Sequence, residues 1–235
     1  MAVIFDCSSN IAMFRKPYTT TSSVSFVFPP PTAVAGIIGA ILGIDNGSDA
    51  EGLNAAYWPE LSGTSVAVKI CAPVKWFRGT LNFWNVKNPQ KSPHIQVKHQ
   101  FLLEPKYRIY VRGPLEERLQ DQLSCGDFIY TPYLGVAYAI SDICYLGSCE
   151  AEPIKGGVAE IDTIVPLNGG ISIDFVSSQK IYKEIVPFAF DEKRALRRTL
   201  PVLYSDSVSK IVLKEMCGLV VTRCMDEVVA WFPEW

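Results

Sequence analysis

Apolar and polar positions alternate along several short stretches of this chain and recur at helical spacing in two places. Residues 2–8, AVIFDCS, form a first strand. A polar loop follows (10–23, NIAMFRKPYTTTSS), then an extended run in which Val24, Phe26 and Phe28 alternate with Ser25 and Val27. Pro29, Pro30 and Pro31 end that run, because proline cannot extend a ladder and drives its predecessor out of the helical region. Pro31 still suits the first turn of a helix, and Ala33, Ile37, Ala40, Ile41 and Ile44 recur behind it at helical spacing. Gly36 and Gly39 sit inside this helix, where each costs about 1 kcal/mol relative to alanine. The expected reason is close approach of another backbone, of protein or ligand.

Asp45 to Gly63 is polar and turn-rich, with NGSD at Asn46 to Asp49 and Trp58-Pro59 to pack it down. The next strand is Ser65 to Ala72, with Val66, Val68 and Ile70 alternating against Ala67, Lys69 and Cys71. A long excursion occupies 73–100, and a strand is expected at 101–112, FLLEPKYRIYVR, ended by Gly113-Pro114. Leu115, Leu119 and Leu123 place a second helix, and residues 128–147 bring TPYLG and another apolar strand. The order is thus β-α-β, excursion, β-α-β. Beyond Glu150 the chain reads as mostly β, with alternation at 157–165, 180–188, 208–214 and 218–223 and an apolar end, VVAWFPEW. Gly156-Gly157 and Asn168-Gly169-Gly170 mark turns there.

Composition sets the bounds. At 235 residues and 49% hydrophobic, the chain can bury a sizeable core and is not a disordered segment. Its longest apolar run, Ala33 to Ile44, is too short to span a bilayer. The N-terminus has no basic region ahead of apolar residues, so no signal peptide is read there and a cytoplasmic protein with no membrane partner is expected. The seven cysteines include no C-x-x-C pair, and there are only two histidines. No zinc site, other metal or cofactor is therefore expected, and the thiols read as free and buried.

Charge changes the picture. The net charge of −2 does not suggest nucleic acid, but residues 69–112 hold nine basic residues and one acid. Such a segment inside an acidic protein is a local electrostatic footprint. Within the excursion, Trp76, Phe77, Phe83 and Trp84 interleave with Lys75, Arg78, Lys87, Lys91 and Lys98 and with His94 and His99, while Asn88-Pro89 and Ser92-Pro93 break its middle. Aromatics stack on unpaired bases and cations neutralise phosphates, so the mixture suits single-stranded RNA. Arg15, Lys16 and Tyr18 in the first loop, beside threonine and serine hydroxyls, suit phosphate and sugar contacts. Arg108, on the following strand, completes the candidate RNA-binding set. Lys193, Arg194, Arg197 and Arg198 form a second cationic cluster, balanced by Asp191 and Glu192.

No nucleotide-binding loop, zinc-protease motif or nucleophile elbow is present. One catalytic constellation can be considered: Lys98-His99 with Tyr18 or Tyr107, in which a tyrosine or histidine would activate a ribose 2′-hydroxyl and lysine would stabilise the charged phosphorane. Against it, adjacent residues on a strand point to opposite faces unless a bulge intervenes.

Three stretches carry a family resemblance: PPPT…GAILG (29–43), FL..PKYRIYV (101–111) and TPYLG (131–135). In this order they resemble the Cas five family of CRISPR-associated proteins, of the RAMP superfamily, and most of all its type I-B members. The resemblance covers most of residues 1–147. It implies an α+β fold: a ferredoxin-like (RRM-like) β-α-β-β-α-β domain over 1–149 with a β-hairpin thumb at about 73–100, then a small β-rich region over 150–235. It implies a non-catalytic subunit of Cascade that caps the 5′ handle of the guide crRNA. Its partners would be the backbone subunit, the large subunit and, indirectly, target DNA. The alternative, implied by type I-C members, is metal-independent cleavage of precursor repeats; a third is a purely protein-binding scaffold. Family members often carry a polar residue shortly after the glycine of P-x-L-G, where this chain has Val136 and Ala137.

Overall fold

The computed structural model describes residues 1–235 except 20–21, 48–56, 88–89, 92, 155, 168–169 and 179. Those exceptions include part of the NGSD turn, both members of Asn88-Pro89, Ser92, and Asn168-Gly169. The longer elements described in the first part are β1 (Ala2–Ser8), α1 (Pro31–Leu42), β2 (Ser65–Ile70), β3 (Trp76–Trp84), β4 (His94–Leu103), β5 (Lys106–Arg112), α2 (Glu116–Cys125) and β6 (Asp142–Cys149). Four of the strands form one antiparallel sheet in the order β6–β1–β5–β2. Both central strands therefore have neighbours on each side, and the helices lie in the β1-to-β2 and β5-to-β6 connections.

β1 is buried along nearly its whole length because the sheet is covered on both faces. Its odd positions Val3, Phe5 and Cys7 join Val66, Val68, Ile109 and Val111 in the core under α1 and α2, with Val34, Ile38, Ile41, Leu119 and Leu123. Its even positions Ala2 and Ile4 join Ala67 and Tyr110 against Cys224, Val229 and Trp231 from the C-terminal part. Strands apolar at both parities are the signature of such double burial.

α1 starts as its prolines dictate. Pro30 is extended, Pro31 holds the first helical position, and the N–H groups of Ala33 and Val34 donate to the Pro30 carbonyl. Gly43 ends the helix in the left-handed conformation, and a Cβ there would lie 2.6 Å from Ile129 Cγ2. The backbone approach expected at Gly36 and Gly39 is not made by any described residue: a Cβ at either would meet nothing within 4 Å. These two glycines instead line the floor of a groove of about 910 Å³ bordered by Tyr130, Tyr133, Phe190 and Arg194.

The strand expected at 101–112 is two strands. Phe101 to Leu103 complete β4, Glu104 turns with φ 48°, and Pro105 precedes β5. A proline in the middle of a central strand would remove a ladder hydrogen bond, so the chain breaks there. The excursion is closed at its base, where Cys71 N–H donates to the Lys106 carbonyl and Leu103 N–H to that of Lys75.

Beyond β6 the described strands include β7 (Ala159–Ile161), β8 (Val165–Pro166), β9 (Tyr182–Phe190), β10 (Leu196–Tyr204), β11 (Ile211–Met216), β12 (Val221–Cys224) and β13 (Glu227–Ala230). β9 and β10 form a long hairpin packed on α1, and β12 and β13 a short one that covers the far face of the first sheet. β10 falls where the sequence shows only a cationic cluster: Arg197 and Arg198 occupy its exposed first half, and Leu200, Val202 and Leu203 its buried second half. The free edge of β2 is closed by the chain itself, since Ile164 and Phe232 N–H groups donate to the Val68 and Val66 carbonyls. No helix among the described residues is long and apolar enough to cross a membrane. All seven cysteines are free, as expected, but only Cys7 and Cys224 are fully buried, while Cys125, Cys144 and Cys217 are exposed.

Candidate nucleic-acid interface

The excursion is a hairpin with two unlike faces, and its second strand also pairs along its other edge with Ile11–Ala12, antiparallel at Leu103 and Leu102, and with Ser22–Ser23, parallel at Lys98 and His99. β3 and β4 pair in register from Trp76 opposite Leu102 to Trp84 opposite His94. Because opposed residues share a face and neighbours alternate, Trp76, Arg78, Thr80, Asn82 and Trp84 lie with His94, Gln96, Lys98 and Gln100. Phe77, Gly79, Leu81 and Phe83 lie on the other side with Ile95, Val97, His99 and Phe101. The first face holds both charged side chains of the two strands, Arg78 and Lys98, with Lys87 and Lys91 in the turn beyond; all four are exposed. Trp84, 71% exposed, leans on His94 with ring centroids 4.6 Å apart. Trp76 is 38% exposed on the same face nearer the base.

Pairing separates the nine basic residues of 69–112. Lys69, Lys106 and Arg108 belong to an ion cluster between the sheet and the C-terminal strands. Arg108 Nε donates to Asp6 Oδ1 at 2.8 Å and Nη1 to both Glu227 oxygens at 3.1 Å, while Lys69 Nζ reaches Glu227 at 2.5 Å and Asp162 at 3.3 Å. Lys106 lies 3.3 Å from Asp6, and the Tyr110 hydroxyl donates to Glu227. The hydrogen bond to Asp6 and the charges of Glu227 and Asp6 push the Arg108 guanidinium further up against the cost of burial. Burial opposes the charged form of Glu227, yet hydrogen bonds from Lys69 and Tyr110 and the nearby cations hold its carboxyl below the usual range. Arg112 is spent on the Trp231 ring, 4.5 Å from its centroid. Lys75 pairs with Glu104 at 2.9 Å, but both side chains are exposed and such a pair is worth about 0–1 kcal/mol. Arg78, Lys87, Lys91 and Lys98 have no acidic partner among the described residues. Every basic residue of the segment without such a partner, Arg112 apart, is on the hairpin.

The first loop divides similarly. Arg15 is exposed and donates to the Thr19 carbonyl at 2.9 Å, and Tyr18 is 67% exposed. Lys16 is instead held by Glu184 beside the Phe26 ring, with its side chain 14% exposed, so its charge is already compensated. Lys16 and Arg108, read from the sequence as RNA ligands, are thus committed to carboxylates far along the chain.

Of the cleavage constellation, the structure places His99 and Tyr107 in the interior and leaves Lys98 and Tyr18 exposed. Lys98 and His99 point to opposite faces. His99 is buried beside Phe101 (centroids 5.6 Å, 11° between planes) and Phe83, with Nδ1 2.9 Å from the Val97 carbonyl oxygen. A carbonyl only accepts, so that nitrogen carries a proton. Tyr107 is fully buried, donates its hydroxyl to the Val27 carbonyl at 2.7 Å, and is pushed well up by desolvation. No cluster of three or more His, Cys, Asp or Glu side chains among the described residues could hold a metal ion.

Sequence reasoning missed the surface beside the hairpin. Tyr133, Tyr138 and Ile140 are each about half exposed, and Tyr138 sits edge-on to Phe101, centroids 6.4 Å apart. The signal was the aromatic spacing around TPYLG. Its glycine has a backbone reason: Gly135 is left-handed at φ 83°, and a Cβ would lie 2.2 Å from the Met13 carbonyl oxygen. That glycine lets the Leu134 carbonyl accept from Met13 N–H and seats the loop against the strand leading to the hairpin base.

The fold is shared with solved CRISPR-associated proteins. A crystal structure of a CRISPR protein from Archaeoglobus fulgidus superposes with a TM-score of 0.57 at 15% identity, over 98% of each chain. A chain of a CRISPR RNA-guided surveillance complex gives 0.56 at 14% identity, over 92% of this chain and 90% of that one. A chain of the type III-B Cmr-beta complex bound to cognate target RNA and AMPPnP gives 0.53 at 10% identity, over 89% and 86%. At these identities the likeness establishes the fold. No curated protein matches the chain. The family described as CRISPR-associated protein (Cas_Cas5) matches residues 2–161, and the chain belongs to that family.

Proposed function

We propose that this chain is a subunit of a crRNA-guided CRISPR complex that holds the 5′ handle of the guide on the cationic face and tip of the β3–β4 hairpin. The observation that carries this reading is the segregation of unpartnered cations: Arg78, Lys87, Lys91 and Lys98 all lie on one protruding element beside two exposed tryptophans. Phosphates neutralised by those cations, with bases stacked on Trp84 or Trp76, are the usual means of holding a single strand. Arg15, Tyr18 and Lys75, exposed near the hairpin's base, would extend the path. Lys16 and Arg108 act within the fold.

The remaining elements of the reading are proposed from the family resemblance. The strand order β6–β1–β5–β2 with β-α-β-β-α-β connectivity supports a ferredoxin-like plan over 1–149, with the hairpin as its thumb and 150–235 as a β-rich region packed on it. Type I-B assembly, linkage of backbone to large subunit, and a cytoplasmic place belong to the same proposal. Binding without cleavage is favoured because His99 and Tyr107 are buried and Lys98 and His99 lie on opposite faces of their strand.

Ultraviolet crosslinking of the purified chain to a handle RNA carrying 4-thiouridine tests the reading. Adducts are expected on Trp84, His94 or Trp76. Adducts confined to the far face of the first sheet or to the C-terminal strands would overturn it. A site-specific, metal-independent cut in repeat RNA, lost in His99→Ala, would establish the enzymatic alternative.

A further inference from the structure

We infer that Cys149 and Cys224 form a dithiol site, at which a small-molecule disulfide of the glutathione class is reduced and the end of the first sheet becomes covalently joined to the strand that covers it. Cys149 is the last residue of β6 and stands opposite Ala2 of β1. Opposed residues share a face, so Cys149 lies with Ala2 on the side that meets the C-terminal strands. Cys224 belongs to the cluster on that side, with Ala2, Ile4, Val229 and Trp231, and Cys149 packs against that cluster. The chain leaving Cys149 runs directly onto the strand of Cys224, since Glu152 and Pro153 pair with Arg223 and Thr222 of β12. The two sulfurs are within hydrogen-bonding reach of each other. Cys7 on β1 and Cys71 just beyond β2 make no second site of this kind. β5 lies between β1 and β2, which sets those strands roughly 9.5 Å apart, and a disulfide needs Cα atoms within about 7 Å.

The surroundings of the two thiols set the order of the steps. Cys149 is partly exposed and open to a solute, whereas Cys224 is buried. Burial pushes the Cys224 thiol up, and the neighbouring Cys149 adds to that rise. Only a thiolate attacks a disulfide, so Cys149 reacts first. Its sulfur bonds to one sulfur of the small disulfide, whose S–S bond breaks and releases one thiolate. Cys149 is then a neutral mixed disulfide and no longer opposes ionisation of Cys224. The Arg112 guanidinium, held 4.5 Å from the centroid of the Trp231 ring, favours the Cys224 thiolate. Cys224 gives its proton to water and attacks Cys149 Sγ. The Cys149–Cys224 bond forms, and the second small thiolate leaves. Two protein thiols have lost two electrons, and one small disulfide has been reduced to two thiols. The new link closes the long loop between the two cysteines, and in the chain-entropy account such closure restricts the unfolded chain. It also fastens the C-terminal strands over Ala2, Ile4, Ala67 and Tyr110, which they shield.

The test uses the purified full chain with Cys125→Ser, Cys144→Ser and Cys217→Ser, which removes the exposed thiols. The folded protein is treated with glutathione disulfide at neutral pH, alkylated and mapped by non-reducing peptide mass spectrometry. A Cys149–Cys224 link free of bound glutathione is expected. With Cys224→Ala added, Cys149 should instead stay as the glutathione mixed disulfide. With Cys149→Ala added, Cys224 should remain a free thiol. That second variant changes a partly exposed position and keeps the test decisive if the buried substitution unfolds the chain. The linked protein should melt about 5–15 °C above the reduced one, and dithiothreitol should abolish the difference. A lasting glutathione adduct on Cys149 with Cys224 present, no reaction at either residue, or a link that forms only in urea would overturn the site. Modification of Cys224 in the Cys149→Ala form would overturn the order of the two steps. A linked protein with an unchanged melting point would overturn the fastening of the C-terminal strands. The site is independent of the preceding reading, since none of these readouts involves RNA.

Discussion

Arg108 and Lys98 stand in one basic segment and look alike in sequence, yet one is tied into the fold and the other is presented to solvent. The difference lies in partners from distant parts of the chain: Asp6 on β1, Asp162 after β7, and Glu227 at the start of β13. No local pattern reveals such pairing, which is why the segment's charge was legible in the sequence and its division was not. Glu227 is central, since it accepts from Lys69, Arg108 and Tyr110. Removing one member of such a largely buried set leaves the others uncompensated, so Glu227→Ala is expected to lower unfolding free energy by about 3 kcal/mol, measured by urea denaturation at neutral pH. Its carboxyl is held below the ordinary range in the folded state. The stability it contributes is therefore full above the unfolded value of about 4.3 and is lost as pH falls below it. Glu227→Gln should accordingly be less stable at pH 7 and show a flatter decline below about pH 4.3 than wild type. Parallel declines would assign the acid sensitivity to other carboxylates.

At the scale of elements, the excursion was legible because its composition differs from its surroundings and its length exceeds an ordinary connection, and its hairpin form was implied by the family resemblance. Its two faces were not legible, since they depend on the pairing register. The register places Trp84 with the cations and Phe83 with the apolar rings. Trp84→Ala is expected to weaken handle binding by about 1–3 kcal/mol with little change in thermal midpoint. An unchanged affinity would move the stacking site toward Trp76 or the first loop. The strand at 101–112 was misread where Glu104 takes a positive φ ahead of Pro105. β10 went unread because its exposed half carries two arginines and its apolar half is only a few residues long.

At the scale of the whole molecule, the central strands of the first sheet are covered on both faces, while alternate positions of the edge strand β6 stay exposed. α1 and α2 cover one side, and β12–β13 with Trp231 cover the other. The chain's own C-terminal strands therefore stand where RRM domains read RNA on the sheet itself, which is a reason the proposed RNA site is placed on the protruding hairpin. The β-α-β order was legible from periodicity and prolines. The covering was not, because it needs contacts between the first and last strands of the sequence. A chain ending at residue 149 should expose Ala2, Ile4, Ala67 and Tyr110 and leave Arg108 without Glu227. It is expected to aggregate or to bind ANS, a hydrophobic dye; a soluble, cooperatively unfolding fragment would show that the C-terminal strands are dispensable to the fold.

The central claim is that four cations on one hairpin hold the guide's 5′ handle, and the salt dependence of handle affinity tests it most directly. Each phosphate neutralised on a single strand adds about −0.7 to the slope of log K against log salt. Wild type should give a slope of about −2.8 or steeper. The Arg78→Gln/Lys87→Gln/Lys91→Gln/Lys98→Gln variant should fall toward zero slope and lose most of its affinity at low salt. A variant that keeps the wild-type slope and affinity would contradict the account and place the RNA elsewhere on the molecule.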